Sequence, residues 1–554
     1  MLKLIRLHRR GGGHFVLDPA VIRHELHFSD RVLKCFADRP ASVADKLAQV
    51  FAARAQACAI VDGYRRLTYA ELDRRIHAAA GLLWSKGLRA GDRLVIVVPN
   101  RAEFVIAFLA AQRIGAIPVP VNIREAAPEI GFILDDCTAS GLVYDPTYET
   151  AAQAARELAG AAWSLPIDAV WRGDPDVSFD QPACRDQDAA ICILYTSGTT
   201  GKPKGALLSD LGVLHSMLHY ELHLGVSSSD SSLLVVPATH ITGLIGLVMA
   251  TLGAGAKLVM VERFSTSDFV RTAAAEGMSF TIMVPAMYNL ILLREDLSRH
   301  DLSRWRVGAY GGSVMPVETI AALSGLLPGL NLVNAYGATE TTSPTSFVPL
   351  GTKDPAHFDT IGKPVACAEV LVMDENGCEC PAGTHGELWI RGPMVIPGYW
   401  NRPEANALDF VGGFWRSGDI GEMTADGYLR IHDRKKDLVN RGGYKIFSAE
   451  VENVLLMHEH VVEAAVIGRP DPVLGERVHA FVSLDDSTVS ERVLKQLCAQ
   501  ELADYKVPES FTLLATPLPR NANGKVLKGE LRQMLTAGPE EDDRPQGGKR
   551  GGKA

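Results

Sequence analysis

The sequence Tyr195-Thr196-Ser197-Gly198-Thr199-Thr200-Gly201-Lys202-Pro203-Lys204-Gly205 lies between an apolar run and a segment with a helical pattern. The apolar run, Ala189-Ala190-Ile191-Cys192-Ile193-Leu194, predicts a buried strand. Within residues 206–222, Ser209 can cap a predicted helix that is mostly apolar. Glycines let backbone N–H groups converge on an anion, while the hydroxyls add donors and the two lysines add positive charge. The loop is therefore predicted to hold the polyphosphate tail of a nucleotide.

The spacing of this loop differs from the common nucleotide-loop pattern G-x-x-x-x-G-K-[ST]. The fifth residue after Gly198 is Pro203 and not a glycine, which argues against an ordinary P-loop NTPase. Clusters of Ser, Thr and Gly are also typical of plain linkers. Two lysines that flank a proline directly after a buried strand favour phosphate binding over a linker.

Length and composition set the class of protein. A chain of 554 residues is too long for one core, so we expect at least two domains. A net charge of −9 gives no support for general nucleic-acid binding, and no run of about 18 apolar residues predicts a membrane span. The nine cysteines are scattered apart from the pair Cys378 and Cys380, which favours free thiols in a reducing, cytoplasmic setting.

The two ends of the sequence differ from the rest in composition. The first ten residues carry four basic side chains and no acidic one, and three glycines follow. Because no secretory apolar region comes next, we expect a disordered basic extension, with a transit peptide as the alternative. The residues after about Ala537 are rich in Gly, Pro and charge, which predicts a disordered tail.

Apolar runs alternate with helical patterns over most of the chain. Thr68 and Glu71 form a capping-box pattern at the start of one helix, and Gly87 ends it. Such alternation predicts parallel sheets with helices on both faces. The predicted strands are 93–99, 117–121, 142–144, 233–237, 257–261, 280–284 and 306–310.

The pattern changes after about Phe358. Two short runs punctuated by turn residues, 369–373 and 386–391, predict a mostly antiparallel unit. A charged stretch follows at 432–437, and beyond it a set of about 100 residues has the size of a small domain. There we expect strands at 461–467 and 478–484, and helices at 448–457, at 493–502 and after 526.

The predicted fold is therefore α/β, with several parts. A large N-terminal domain stacks parallel-sheet α/β subdomains and adds a small β-rich subdomain, and a small α+β domain follows it. The predicted bounds are 1–47 for a partly disordered extension, 48–432 for the large domain, 433–437 for a hinge, 438–536 for the C-terminal domain and 537–554 for a disordered tail.

Five further motifs follow the phosphate loop in order. Asn334-Ala335-Tyr336-Gly337-Ala338-Thr339-Glu340 is predicted to follow a strand, and Ser417-Gly418-Asp419 to lie in a turn. The other three are Asp433-Arg434-Lys435-Lys436-Asp437, Gly442-Gly443-Tyr444-Lys445-Ile446 and Pro519-Arg520-Asn521-Ala522-Asn523-Gly524-Lys525. This ordered set resembles the acyl- and aryl-CoA ligases of the adenylate-forming superfamily, which also contains firefly luciferases and the adenylation domains of peptide synthetases. The resemblance covers about residues 48 to 535.

The resemblance implies an ATP-dependent carboxylic acid:CoA ligase that forms an acyl-adenylate, with ATP, Mg²⁺ and coenzyme A. Tyr336 would stack on adenine, Thr339 would contact the α-phosphate, and Glu340 would coordinate the metal, since Mg²⁺ prefers carboxylate and phosphate oxygens. Asp419 would accept the ribose hydroxyls, with Arg434 beside it. The implied ATP-binding residues are Thr196, Ser197, Gly198, Thr199, Thr200, Gly201, Lys202, Lys204, Gly311, Gly312, Ser313, Tyr336, Gly337, Asp419 and Arg434.

The resemblance also implies a C-terminal domain that acts as a mobile lid. Lys525 would bridge the attacking carboxylate and the α-phosphate and offset the charge that builds there. Lys436 stands at the hinge position of the family, where an acidic residue is also common. In the thiol-transfer state Gly443 would line the channel for the pantetheine arm, and Lys445 would face the site.

The resemblance also implies residues around the acid. His240 matches an aromatic gate of the family, although a histidine at a strand end can equally be structural. Met283-Val284-Pro285-Ala286-Met287-Tyr288 would form one pocket wall, or else plain core. Fatty acids and aryl acids are both open as substrates.

Three other functions remain open at this point. The first is an adenylating enzyme that loads a separate acyl carrier protein. No carrier domain is fused in this sequence, so the carrier would be a second protein. The second is a non-catalytic nucleotide-binding regulator, although the residues at the catalytic positions are all present. The third is an oxygenation of the luciferase type.

Overall fold

The computed structural model describes residues 21–149, 152–153, 163–173, 179, 186–196, 203–313, 315–520 and 526–537. The chain divides into two compact units. The large unit consists of Met1–Ser417 and Gly421–Ile431, and the small unit of Gly418–Ile420 and His432–Ala554. The division falls beside the charged stretch at which the sequence predicts a domain boundary. Within the described ranges, no helix is long and apolar enough to cross a membrane.

The described chain begins with a hairpin that sequence patterns did not predict. Strands β1 (Ile22–His27) and β2 (Arg31–Phe36) pair antiparallel, with Ile22 opposite Phe36. Leu33, Cys35 and Phe36 are buried, so β2 packs on the large unit. Helix α1 (Val43–Ala53) follows, and the Ser42 side chain caps it by accepting from Asp45 N.

The first parallel sheet has the strand order β6-β5-β7-β8 and confirms the predicted alternation. Its apolar strands are almost fully buried, as expected for a sheet with helices on its faces. Helix α2 begins at the capping box of Thr68 and Glu71, as predicted. The strands are β5 (Arg93–Val97), β6 (Ile117–Pro120), β7 (Gly141–Tyr144) and β8 (Ser164–Pro166), and the helices are α2 (Tyr69–Ser85), α3 (Ala102–Arg113), α4 (Ala127–Asp136) and α5 (Ile167–Arg172).

A nine-stranded sheet has the order β17-β16-β15-β14-β13-β11-β12-β3-β4. Its centre, from β15 to β3, is parallel, and its two edges are antiparallel. The strands are β3 (Cys58–Asp62), β4 (Arg65–Thr68), β11 (Ser231–Leu234), β12 (Lys257–Met260), β13 (Phe280–Met283), β14 (Val307–Tyr310), β15 (Asn331–Ala338), β16 (Ser343–Phe347) and β17 (Lys363–Pro364).

After β8 and before β11 in sequence comes a two-stranded hairpin, β9 (Ala190–Thr196) and β10 (Lys204–Ser209). Residues 204–209 pair antiparallel with β9, and this strand was not predicted from the sequence. Helix α6 (Asp210–Leu224) begins only after Ser209, whose hydroxyl accepts from Gly212 N at 3.0 Å as the predicted cap. Further along are a π-helix (Thr242–Met249) and helices α7 (Ala250–Gly253), α8 (Thr266–Ala275), α9 (Pro285–Arg294) and α10 (Val317–Leu326).

The predicted antiparallel unit is present after Phe358. Strands β18 and β19 pair antiparallel in a sheet of order β18-β19-β21-β20, with β22 beside β21. The elements are β18 (Glu369–Met373), β19 (Gly386–Arg391), α11 (Pro403–Asp409), β20 (Phe410–Val411), β21 (Phe414–Met423) and β22 (Leu429–Arg434).

The small unit is α+β, as predicted. Its sheet has the order β24-β23-β26-β25, with β27 beside β26, and helices α12 and α13 lie against it around buried Val439, Val466 and Val482. The elements are β23 (Val439–Arg441), β24 (Tyr444–Ile446), α12 (Ser448–Leu455), β25 (Val461–Asp471), β26 (Gly475–Leu484), α13 (Glu491–Glu501), β27 (Ser510–Leu514) and α14 (Lys528–Ala537).

Candidate active site

The predicted phosphate loop connects the two strands of the β9–β10 hairpin. Thr196 and Lys204 are Cα partners at the end of the hairpin where residues 197–203 connect the two strands. The Thr196 hydroxyl donates to Lys204 O at 3.4 Å. Ser197, Gly198, Thr199, Thr200, Gly201 and Lys202 lie outside the described residues.

The base of this loop is held from two sides. Tyr195 OH donates to the Asp136 carboxylate at 2.6 Å, and Trp400 Nε1 donates to Asp136 O at 3.0 Å. Segment 398–400 also pairs with β10, since Trp400 N donates to Gly205 O at 2.7 Å. Strands β9 and β10, which flank the loop, are therefore both held by contacts to Asp136 and Trp400.

Lys204 has two partners in the large unit. Its ammonium is 2.9 Å from the Asp409 carboxylate and 4.2 Å from the centroid of the Tyr399 ring. The same Tyr399 donates its hydroxyl to Glu340 Oε1 at 2.9 Å, and Ile396 N donates to Glu340 O at 2.9 Å. One aromatic side chain thus joins the predicted phosphate-binding lysine to the predicted metal-binding carboxylate.

Tyr399 was not predicted as a site residue. Burial and the neighbouring Glu340 carboxylate raise the pKa of Tyr399 well above its usual 10, so the phenol remains a donor. The only sequence signal is the aromatic cluster Gly398-Tyr399-Trp400 after Pro397. Its contact with Glu340 spans 59 residues, and no local pattern reveals such a separation.

The Asn334–Glu340 motif lies partly inside a strand. Residues 334–338 belong to β15, so the expectation that the motif follows a strand is wrong. Gly337 is required there, because a Cβ at this position would lie 1.5 Å from Ser343 O. Thr339 and Glu340 form a single 3₁₀ turn, after which Thr342 and Ser343 take positive φ angles of 48° and 94°.

Strands β14 and β15 place two sets of predicted ATP-binding residues side by side at their carboxyl ends. The two strands are parallel neighbours, with Tyr310 opposite Asn334. Gly311, Gly312 and Ser313 therefore leave the sheet beside half-buried Tyr336. A Cβ on Gly311 would lie 2.4 Å from Ala335 O, so only glycine permits this approach.

His240 lies in the turn before the π-helix and is half-buried. Thr242 N approaches its Nδ1 at 3.4 Å, and burial lowers the pKa of His240, so the ring is neutral near pH 7. Asn100, after β5, accepts from Ala238 N at 2.8 Å and donates to Val236 O at 3.0 Å. This amide, also missed from the sequence, ties the turn to the first parallel sheet.

The predicted pocket wall at 283–288 is in part core. Tyr288 is fully buried, stacks on Trp305 at 6.1 Å and donates to Ala309 O at 2.9 Å. Met283 is buried in the same cluster. Of the two alternatives for this segment, core holds for Met283 and Tyr288.

Asp419 and Arg434 form an ion pair in the small unit, 3.0 Å apart. The prediction that Asp419 lies in a turn is wrong, since residues 417–419 are part of β21. Gly418 takes φ +70° and its carbonyl accepts from Lys435 N at 2.8 Å, which sets the two charged side chains side by side.

The remaining predicted residues of the small unit occupy exposed positions. Lys436 is exposed, and its carbonyl accepts from Arg532 at 3.2 Å. Gly443 lies in the tight loop between β23 and β24 with φ +89°, followed by exposed Lys445. Lys525 lies outside the described residues, which resume at Val526, the bridge partner of Arg520.

Comparison with known proteins bears on this arrangement. The AMP-binding enzyme family model matches residues 47–400, and the model of the AMP-binding enzyme C-terminal domain matches residues 450–525. A feruloyl-CoA synthase from Amycolatopsis sp is 33% identical over 86% of this chain and 96% of its own length. A long-chain-fatty-acid–CoA ligase, FadD13 of Mycobacterium tuberculosis, is 31% identical over 85% of this chain and 94% of its own.

A solved structure is similar over nearly the same span. The o-succinylbenzoate CoA synthetase of Bacillus subtilis, in complex with its acyl-adenylate intermediate, superimposes with a TM-score of 0.80 at 30% identity, over 88% of this chain and 97% of that one. The same enzyme has been solved with ATP and a magnesium ion, with a TM-score of 0.79 at 29% identity, over 88% of this chain and 99% of that one. With a family model across well over half of its length and relatives above 30% identity, this chain belongs to the AMP-binding enzyme family.

Proposed function

We propose that this protein is an ATP-dependent carboxylic acid:CoA ligase. In the first half-reaction the substrate carboxylate attacks the α-phosphorus of ATP, and pyrophosphate leaves to give an acyl-adenylate. In the second, the CoA thiolate attacks the acyl carbonyl, and AMP leaves as the thioester forms. The observation that carries the proposal is the cluster of Lys204, Tyr399 and Glu340 at the mouth of the 197–203 loop.

The large unit supplies the contacts to the nucleotide. Thr196, Lys204 and the loop between them hold the β- and γ-phosphates, where backbone N–H groups and one fixed ammonium suit a polyphosphate. Tyr336 stacks on adenine, with Gly312 and Ser313 opposite. The close approach of Gly311 to Ala335 O leaves no room for a side chain at position 311, so the space proposed for adenine stays open. Thr339 donates to the α-phosphate.

Glu340 fits a magnesium site by the chemistry of its donor. Mg²⁺ is usually held by one or two carboxylates together with substrate phosphates. Glu340 is half-buried and fixed through both its carbonyl and its carboxylate. When bound, the ion would offset phosphate charge as the two anions meet.

The small unit supplies residues for both half-reactions. Asp419, paired with Arg434, accepts the ribose hydroxyls. Lys525 neutralises charge between the carboxylate and the α-phosphate during adenylation. For thioester formation the unit turns about Lys436, so that Gly443, which has no side chain to obstruct the pantetheine arm, and Lys445 replace Lys525. Support for this division comes from the family motifs at 433–437, 442–446 and 519–525.

His240 is proposed as the gate between acid and nucleotide. Its neutral ring can move without displacing a charge, and the turn that carries it is tied to Asn100. The acid is an aryl or fatty acid. The 31–33% identity to a feruloyl-CoA synthase and to a long-chain-fatty-acid–CoA ligase supports both classes.

Free thiols support a reducing, cytoplasmic location. The eight described cysteines are unpaired, and five of them are buried. Fractionation of cells followed by thiol labelling of the protein would test this. Recovery from an oxidising compartment would contradict it.

The function is tested by two linked assays on the full-length protein. Exchange of labelled pyrophosphate into ATP is measured with a panel of cinnamic, benzoic and fatty acids, and the acids that support exchange are then incubated with CoA. We expect thioester formation with CoA for the same acids. Exchange without CoA thioester, but with transfer to a phosphopantetheinylated carrier protein, would favour the carrier-loading alternative. No exchange with any acid by folded protein would contradict the proposal.

A further inference from the structure

Arg31 is a buried charge in the N-terminal hairpin. It lies ahead of residues 47–400, which the family model matches. Arg31 is the first residue of β2, and it is 8% exposed. Its guanidinium donates to Ile396 O at 2.8 Å and to Pro397 O at 2.7 Å. Because a buried guanidinium is costly unless its donors are satisfied, these two carbonyls fix where the side chain must lie.

The Asp30 carboxylate, 3.7 Å from Arg31 Nε, and two aromatic rings also lie near this guanidinium. It lies 5.3 Å from the centroid of Phe28 and 5.5 Å from that of Phe410, within the range of cation–π attraction. Phe410 in turn meets Tyr399 edge-on, with centroids 5.7 Å apart. Arg31 therefore reaches Tyr399 by two routes, through the backbone at 396–397 and through the Phe410 ring.

Both routes end at Glu340. Ile396, whose carbonyl accepts from Arg31, donates its own N–H to Glu340 O at 2.9 Å. Tyr399 donates to the Glu340 carboxylate at 2.9 Å, and its ring supports Lys204 at 4.2 Å. Segment 396–399 is thus held by the hairpin on one side and holds two predicted nucleotide-site groups on the other.

We propose that Arg31 is a positioning residue for the nucleotide site: by clamping segment 396–399 it sets the positions of Tyr399, Glu340 and Lys204. The inference rests on the proposed function, in which Glu340 and Lys204 serve MgATP. A displacement of about 1 Å at catalytic groups can cost about 10²-fold in reaction rate. Because Glu340 and Lys204 are proposed to contact MgATP directly, we expect loss of the Arg31 contacts to weaken nucleotide binding as well.

The test is calorimetric titration of MgATP into the full-length protein, with the melting temperature measured in parallel. Arg31→Met removes both hydrogen bonds and the charge, and we expect it to weaken MgATP binding about tenfold. Arg31→Lys keeps a point charge but loses the guanidinium fork, so we expect an intermediate loss. The matched control is Arg23→Gln in the same hairpin. Its side chain is 61% exposed and should leave the dissociation constant within about twofold of wild type.

A purely structural clamp would lower the melting temperature and leave the affinity of the folded protein for MgATP unchanged. Dissociation constants for both Arg31 variants within about twofold of wild type would therefore overturn the proposal. Should Arg31→Met not fold, Arg31→Lys decides by the same criterion. Wild-type protein that binds MgATP but activates no acid would contradict the proposed function and leave this test intact.

Discussion

At the scale of single residues, Tyr399 contacts two predicted site residues that have different roles. Its hydroxyl donates to the Glu340 carboxylate, and its ring lies under the Lys204 ammonium. A hydrogen bond to a charged group is worth about 1.5–3 kcal/mol. The phenol cannot ionise in the usual assay range, because burial and Glu340 raise its pKa. Tyr399 is therefore a constant support for both groups.

Tyr399→Phe removes the hydroxyl and keeps the ring. We expect the KM for ATP in the adenylation step to rise about tenfold, because Glu340 loses the donor that orients it. The KM for the acid should stay within about twofold, since the acid is not proposed to contact Glu340. Tyr428→Phe, a ring stacked on His357 in the same unit, is the matched control. An unchanged KM for ATP would contradict the role given to Tyr399.

A second feature at the residue scale is a row of buried histidines on α6. His215, His219 and His223 follow one face of the helix, with Phe36 against the first two and Phe347 against the third. Burial lowers the pKa of His215 to about 3 and of His223 to about 4, and it lowers that of His219 well below 6.5. His215 accepts from Phe36 N and His223 from Ala366 N, while the ring nitrogens of His219 have no hydrogen-bond partner in the described part of the chain.

These histidines make the fold sensitive to acid. Below pH 6.5 these histidines bind protons in the unfolded chain but stay neutral in the native structure. The free energy of unfolding therefore falls as the pH decreases from 6.5 toward 4. Each ring should cost about 1 kcal/mol between pH 7 and pH 5.5. In denaturant titrations at these two pH values, His219→Leu should lose about 1 kcal/mol less than wild type. Exposed His24→Leu is the control, and an equal pH dependence in all three proteins would refute this explanation.

At the scale of elements, the join between β15 and β16 fixes the site. Gly337 stands where the register of the two strands shifts, with the Ser343 carbonyl directly against its Cα. The turn that follows contains Thr339 and Glu340, and two residues with positive φ, Thr342 and Ser343, come directly after it. A glycine here is a steric requirement of the strand pairing, and the position of Glu340 depends on it.

Gly337→Ala should destabilise the protein by about 3 kcal/mol, because the new methyl group overlaps a backbone carbonyl. Gly325→Ala, in helix α10 with nothing within 4 Å of the added Cβ, should instead stabilise it by about 0.5–1 kcal/mol. Denaturant midpoints measure both changes. A Gly337→Ala variant as stable as wild type would contradict this account of the turn.

The central strands and the helix caps of this fold were predictable from the sequence, whereas several site elements were not. Buried parallel strands appear as short apolar runs, and Thr68 and Ser209 cap their helices through contacts three residues away. Strand β10 was missed because residues 206–208 are apolar in either a strand or a helix, and only pairing with β9 decides. Asp419 was placed in a turn because Ser-Gly-Asp is turn-like, although β21 continues through it.

The candidate site shows the same limit more clearly. Sequence motifs predicted Thr196, Lys204, Glu340, Asp419 and Arg434 as site residues, because each lies in a short motif that can be recognised locally. The residues that hold them lie far away in sequence. Arg31 meets Ile396 across 365 positions, and no pattern within the hairpin indicates that contact.

At the scale of the whole molecule, the two units carry different parts of the proposed chemistry. The phosphate loop, Tyr336 and Glu340 belong to the large unit, and Lys525, Gly443 and Lys445 belong to the small one. Gly443 lies in the loop between β23 and β24, whereas Lys525, which is outside the described residues, comes shortly before α14 in sequence.

Lys525→Ala should separate those half-reactions. Without its ammonium the charge between carboxylate and triphosphate is not offset, so we expect adenylation to fall by at least about 10²-fold. Thioester formation from chemically supplied acyl-adenylate and CoA should stay within about threefold of wild type, because Lys525 is not proposed to act there. Lys528→Ala, which removes the nearby contacts to Ser448 and Glu452, is the control. Equal loss of both steps would contradict the division.

The most direct test of the central claim follows the oxygen atoms of the acid. An acyl-adenylate forms through a bond from a carboxylate oxygen to the α-phosphorus, and that oxygen stays on AMP when CoA takes the acyl group. With a substrate acid labelled with ¹⁸O in its carboxylate, mass spectrometry of the products should find one ¹⁸O in AMP and none in pyrophosphate. Label in pyrophosphate or free phosphate, or unlabelled AMP alongside thioester, would contradict the account.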